Sequence, residues 1–289
     1  MDGSSVKSAI RLGVEITGKH LAVVCLDSAA SVIDKKLGDR TDENFLSDFV
    51  KSSSATHGPI AGVGIASSSE CDSDTASISA DLFKMVGSKP FVENSGRAGA
   101  IGEHRAGAGK GTQSLFYIYM GETVETALIL NGEVWRGSAG LAGAFGRFVI
   151  DSDGRRVDDF ATDLSIVRRT RNRFNQDQTS SLISLDESKI TADDIIREAL
   201  KGDEFAVMML ERTGKFVGVA LASVIHLLNP ETVVVGGQIV RPGTNVVEGV
   251  ISGAGESVSS EILAGTKIIP ADLGEFSAAI GVALMSADC

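Results

Sequence analysis

Cysteine is scarce in this chain: three residues, Cys25, Cys71 and Cys289, in a length of 289. None stands in a Cys-x-x-Cys spacing. That argues against a zinc cage and against a disulfide framework, and it fits a reducing, cytoplasmic compartment. No apolar run approaches the roughly 18 residues of a membrane span, and the N-terminus lacks the shape of a secretory signal. Residues 1–8 are polar and are expected to form a frayed end. Basic charge is also short. Lys and Arg number 27 against 38 Asp and Glu, a formal charge of -11. A chain that grips nucleic acid usually carries a basic footprint, so direct nucleic-acid contact is not expected here. What remains is an ordinary globular mixture, 43% hydrophobic and 22% charged, long enough for one large or two medium domains.

The chain is organised around residues 227–237. Thr232, Val233, Val234 and Val235 are β-branched and consecutive, a composition that suits a strand buried on both faces of a parallel sheet. Pro230 cannot continue the helix expected before it. Gly236 and Gly237 end the strand where a backbone turns sharply or meets a ligand. A ligand crevice beyond the carboxyl ends of such strands is the usual site in open α/β sheets. A tight strand-to-helix turn without a ligand explains the same two glycines.

Further elements follow by pattern. Residues 10–26 read as two strands around the turn Thr17-Gly18-Lys19. Residues 44–54 read as an amphipathic helix and 60–66 as a buried strand. The connection 70–79 leads to a helix over 80–86. Asn94 starts a helix after a strand at 90–93, with Ser95 as part of its N-cap. Residues 107–111, rich in glycine, read as a hinge. Strand 114–120 and a hairpin over 127–135, turning at Asn131-Gly132, follow. Residues 158–174 form one helix whose end carries Arg168, Arg169, Arg171 and Arg173, a charge run that reads as a solvated face, with a polyanion patch as the minority reading. Thr191 caps a helix to Leu200, a long apolar helix fills 204–228, and 246–263 mixes helix and loop. An edge strand at 267–270 and a helix at 276–285 close the chain.

Three stretches together carry a family resemblance. They are Asn229-Pro230-Glu231 with the valine run and Gly236-Gly237; Asn94-Ser95 with the small-residue helix ending in Gly102-Glu103; and Gly137-Ser138-Ala139-Gly140-Leu141-Ala142-Gly143-Ala144-Phe145-Gly146-Arg147. They resemble the ROK family, which groups bacterial sugar kinases with sugar-responsive repressors. The resemblance implies an α/β chain with the actin-like ATPase (ribonuclease H-like) fold, two domains each with a mixed sheet flanked by helices. It places the first domain at 9–111, completed by a C-terminal helix at 275–289, and the second at 112–274.

The resemblance also locates sites and marks departures. A nucleotide site implied by the family falls on Gly18, Lys19, Gly121, Thr123, Gly236 and Gly237, and it is vestigial. The first phosphate turn, Asp-x-Gly-Gly-Thr-Lys in the kinases, reads Glu15-Ile16-Thr17-Gly18-Lys19-His20. The family's general base is Ser95 here, so no catalytic residue is assigned. Glu93, two residues earlier, is the carboxylate that could substitute as base, since i and i+2 share a strand face. The glycine turn beside the γ-phosphate now holds Glu122 and Glu125, and like charges a few ångströms apart repel by roughly 1–4 kcal/mol. Ala144 and Arg147 replace the family's sugar-binding Glu and its His. The cysteine-rich zinc segment is replaced by Asp151-Ser152-Asp153-Gly154-Arg155-Arg156, so no metal and no zinc are expected. A small sugar ligand is expected on Glu93, Asn94, Ser95 and Arg147.

The expected function is that of a catalytically silent member, a sugar-responsive regulator or effector-binding domain of the repressor branch. The alternative is an ATP- and Mg-dependent sugar kinase with an atypical site, and a third reading is a structural dimer without a small ligand. The residues before the first strand are expected to leave no room for a helix-turn-helix, so the chain is read as an effector domain alone or as one that acts through protein contacts. A homo-oligomer is expected on family grounds, and no membrane partner.

Overall fold

The computed structural model describes residues 9–68, 73–174 and 179–287. The expected frayed end at 1–8, Cys71, Cys289 and the start of the 70–79 connection lie outside these residues. The chain divides into two compact units. One runs to Lys110 and resumes at Glu275; the other is Gly111–Gly274.

Each unit is built on one five-stranded mixed sheet. In the first, β1 (Ile10–Ile16), β2 (His20–Leu26) and β3 (Val32–Asp39) form an antiparallel meander, and β4 (Ile60–Ser67) and β5 (Phe91–Asn94) add in parallel beside β1, in the order β3-β2-β1-β4-β5. In the second, β6 (Leu115–Met120), β7 (Val124–Leu130) and β8 (Glu133–Val134) form the meander, and β9 (Thr232–Gly237) and β10 (Lys267–Pro270) add in parallel beside β6, in the order β10-β9-β6-β7-β8. The same strand plan is therefore used twice. The valine run of β9 has a parallel neighbour on each side, and Val233, Val234 and Val235 are fully buried. The β7–β8 turn has positive φ at both Asn131 and Gly132, as a type I′ turn requires.

Helices α1 (Phe45–His57), α2 (Ser73–Val86), α3 (Ser95–Ala106) and α10 (Ser277–Met285) belong to the first unit. The second contains α4 (Asp158–Ala161), α5 (Asp163–Arg171), α6 (Ala192–Leu200), α7 (Glu204–Leu228), α8 (Val246–Gly255) and α9 (Ser260–Leu263). Helix α10 crosses α3 closely: a Cβ at Gly281 would overlap the Ala98 carbonyl, and one at Gly102 the Ser277 carbonyl. The buried Glu103 accepts from Ser277 Oγ at 2.7 Å and from the Ala108 N–H at 2.9 Å, which anchors the glycine-rich segment after α3. Helices α7 and α8 interlock likewise, Gly214 and Gly218 against α8 carbonyls, Gly249 and Gly253 against α7 carbonyls.

Strand β3 has no counterpart among the elements read from the pattern; its exposed Lys35 and Lys36 are those of a sheet-edge strand. Three expectations need correction. Helix α2 begins at Ser73, not Ala80, so the connection is shorter still. The single helix over 158–174 is two, broken at Thr162, whose hydroxyl and backbone N–H form a capping box with Ser165. Ser95 is the first helical residue of α3 rather than its cap; the cap is Asn94, whose Oδ1 accepts the Arg97 N–H at 3.2 Å.

Candidate functional site

The candidate residues fall into a group on each unit. In the first unit, Gly18 and Lys19 form the tip of the β1–β2 turn. The Thr17 hydroxyl accepts the Lys19 N–H at 3.3 Å and the His20 N–H at 3.0 Å, and donates to the His20 carbonyl at 2.9 Å. The N–H groups of Lys19 and His20 are thus bonded within the turn.

Glu93, Asn94 and Ser95 come together where β5 passes into α3. Glu93 and Ser95 are buried. The Glu93 carboxylate accepts the Asn94 N–H at 2.9 Å and pairs with Arg97 Nε at 2.6 Å. The two side chains are only 3% and 11% exposed, so the ion pair is largely out of water. Arg97 was not singled out from the sequence. Its spacing from Glu93 bridges a strand and a helix, and no single period reveals such a pair.

In the second unit, Met120 pairs with Gly237 across β6 and β9, so Gly121, Thr123, Gly236 and Gly237 gather at the carboxyl ends of these strands. Gly237 has φ +126, and a Cβ there would overlap the Met120 carbonyl. Backbone packing alone therefore requires that glycine. Thr123 Oγ donates to Glu125 Oε1 at 2.8 Å, and the Gly121 N–H donates to the Thr123 carbonyl at 3.2 Å. Glu122 is exposed and Glu125 partly so.

Arg147 closes a 3-10 turn, Phe145–Arg147. Thr126 Oγ donates to the Gly143 carbonyl, which ties this turn to β7. Asp158, also missed in the sequence, joins the two segments. Its carboxylate lies against Gly146, where a Cβ would overlap it, and accepts the Val124 N–H. Burial pushes the Asp158 carboxyl above its ordinary range, with Asp159 adding to the rise; the Val124 N–H, Arg147 and Arg156 oppose it. In sequence Asp158 looks like any acid in a helix's first turn.

Because the folded-state carboxyl is raised, its ionisation costs stability as pH rises above the unfolded value, and the cost vanishes once both states are protonated. Asp158→Asn keeps an acceptor for Val124 and removes the charge. The variant is expected to be at least as stable as the parent at pH 7, with the difference narrowing toward pH 4 in urea titrations. A variant whose deficit instead grows with pH would contradict this assignment.

Zinc has no fit at the 151–156 segment. No Cys or His is present, and the Asp151 carboxylate is engaged by Asp153 N–H at 3.0 Å, Arg155 N–H at 3.2 Å and Arg155 Nε at 2.6 Å. Among the described residues no cluster of three or more His, Cys, Asp or Glu is arranged to hold a metal. The run of arginines on α5 is not simply a solvated face. Arg169 donates to the Phe160 carbonyl at 2.8 Å and to Thr213, and its guanidinium lies over the rings of Phe160 and Phe216. Burial, reinforced by Arg212, Arg168 and Arg173, lowers it to about 10.

Among the described residues no helix is long and apolar enough to cross a membrane. Comparison with known proteins agrees with the strand plan. The chain is 25% identical over 262 residues to the glucokinase of Thermotoga maritima, covering 80% of this chain and 83% of that one. It is 26% identical over 200 residues to the xylose repressor of Bacillus subtilis, covering 68% of this chain and half of the repressor's length. The crystal structure of a ROK family glucokinase from Streptomyces griseus, in complex with glucose and AMPPNP, superposes with a TM-score of 0.82 at 22% identity, over 97% of this chain and all of that one. The fold is thus the actin-like ATPase fold of ROK sugar kinases. The ROK family model matches residues 11–288, and the chain belongs to the ROK family.

Proposed function

We propose that this chain is a catalytically silent ROK protein that binds a small sugar and reports its presence, as the family's sugar-responsive regulators do. The observation that carries the reading is the buried Glu93–Arg97 ion pair beside Ser95. Ser95 occupies the position of the base, and a serine hydroxyl is barely acidic at neutral pH. The nearest alternative carboxylate, Glu93, already holds a guanidinium and a backbone N–H, which suits structure rather than proton transfer. The self-satisfied β1–β2 turn and the acidic 121–125 loop support the same reading, since both disfavour an anionic donor. Neither ATP with Mg nor zinc is a resident cofactor in this account. The residues assigned to the sugar on the first unit are Asn94 and Ser95, with the Glu93 carboxylate holding the Asn94 N–H. The chain works in the cytoplasm, and its charge of -11 opposes its own contact with DNA.

A thermal-shift screen of sugars, sugar phosphates and nucleotides tests this. A specific sugar at about 100 times its Kd is expected to add about 2.7 kcal/mol of apparent stability, a rise of roughly 5–10 °C for a chain of this size. ATP with Mg is expected to give none. A shift with ATP and Mg, and none with any sugar, would reverse the assignment toward the kinase reading.

A further inference from the structure

Helices α5 and α7 bring four arginines to one place on the second unit. Arg169 is at the centre. Its guanidinium lies over the Phe216 ring, 5.5 Å from the centroid, and donates to the Phe160 carbonyl at 2.8 Å and to the Thr213 hydroxyl. Arg168 precedes it, Arg173 follows it by four residues, and Arg212 adjoins Thr213 on α7. The charged groups that bear on Arg169 are all cations: Arg212, Arg168 and Arg173. Among the described residues none of the four stands in an ion pair. Two other arginines nearby are already engaged. Arg155, which reaches the Phe160 ring at 5.3 Å, is held by Asp151 and Asp153, and Arg171 turns to the Ile190 carbonyl at 2.8 Å.

A cluster of this kind costs stability when left alone, because like charges a few ångströms apart repel. The chain carries 38 acids against 27 bases, yet none of the described carboxylates pairs with these arginines. Local conflict that the fold leaves standing is typical of functional sites. On each helix an exposed apolar side chain accompanies the charge. Leu164, 78% exposed, is four residues before Arg168, and Met208, 37% exposed, is four before Arg212. That spacing puts the members of each pair on one helix face.

We propose that this face of α5 and α7 docks an acidic segment of a partner protein. Its Asp and Glu side chains meet Arg168, Arg173 and Arg212, and an apolar side chain rests on Leu164 or Met208. Charge complementarity selects the occupant. Guanidinium forks match carboxylates bidentately, and these arginines are a local exception on a chain of formal charge -11. A nucleic-acid duplex would lay its further phosphates over the acidic remainder of the surface. A lone phosphate ion would satisfy the arginines and leave both apolar side chains wet.

The test is the fluorescence anisotropy of a labelled synthetic peptide of alternating Glu and Leu, titrated with the full chain beside a peptide in which Gln replaces Glu. The Glu peptide is expected to bind saturably and the Gln peptide not. Raising salt from about 0.05 to 0.2 M should weaken the complex several-fold, as exposed charge pairs require. Arg173→Gln combined with Arg212→Gln is expected to raise the dissociation constant about tenfold or more. The double variant should melt no lower than the parent, since both arginines crowd Arg169 and neither has a carboxylate partner in the fold. Arg197→Gln, at an arginine already paired with Asp194, should leave the affinity as it is.

A Glu peptide that does not bind would overturn the proposal, as would binding that the double variant leaves unchanged. Duplex DNA that binds more tightly than the peptide, or inorganic phosphate that displaces the peptide at the peptide's own concentration, would assign the arginines to another ligand. A double variant that melts several degrees lower would make them packing residues. None of these residues is assigned to the sugar, so the thermal shift with sugars should be the same in parent and double variant, and failure here leaves that reading standing.

Discussion

Placing a carboxylate at the base position, Ser95→Asp, is expected to leave hexose phosphorylation undetectable. A general base contributes about 10²–10⁴ to rate, so its restoration recovers no more than that. The remaining deficits lie elsewhere. Glu122 and Glu125 occupy the turn beside the expected phosphates, and the Thr17 hydroxyl takes up the Lys19 and His20 N–H groups of the β1–β2 turn. Ala144 offers no carboxylate to orient a sugar, and misplacement by about 1 Å can cost a further 10². These losses need not add, but two of them already carry turnover below ordinary assays. The introduced carboxylate would also sit beside the buried Glu93, with Arg97 as the nearby cation. A coupled assay with ATP, Mg and a hexose panel checks the variant. Turnover within about tenfold of 1 s⁻¹, an ordinary enzyme rate, would show that the base alone was missing.

Arg97→Met is expected to destabilise the first unit by about 3–5 kcal/mol, the usual result of leaving one partner of a buried ion pair uncompensated. For a chain of this size that corresponds to a fall of roughly 10 °C in melting temperature. Glu93→Gln combined with Arg97→Met should recover part of the loss, because the double variant no longer buries an unpaired charge. The single loss exceeding the double is the diagnostic result in denaturant titrations. A cost below about 1 kcal/mol for Arg97→Met would mean that the pair behaves as a surface contact. The rigidity of the β5–α3 junction would then need another source, and Glu93 would regain its standing as a substitute base.

Much of the fold was legible where one signal dominated. The valine run of β9 and the alternation in β1 announced buried strands, and Thr191 announced a helix start that the structure confirms with a cap bond of 3.2 Å. Legibility failed where exposure removed the hydrophobic period. Strand β3 is charged because it lies at a sheet edge, and the first turns of α2 are polar because they face water. Thr162 divides α4 from α5 by a capping bond, which leaves no trace in the apolar pattern. The candidate site was legible as a set of positions, since motifs fix these along the chain. Its wiring was not. Arg97 reaches Glu93 across a change of backbone geometry, and Asp158 reaches Val124 and Gly146 from a distant segment. Such contacts depend on tertiary placement alone.

The central claim is that this ROK protein binds without transferring phosphate. The most direct test is the coupled assay on the unmodified protein, with ATP, Mg and the sugar that gives the strongest thermal shift. The account predicts that the sugar stabilises the fold while no phosphoryl transfer rises above background. Sustained turnover near 1 s⁻¹ in the same preparation would contradict it and make the chain a sugar kinase with an atypical site.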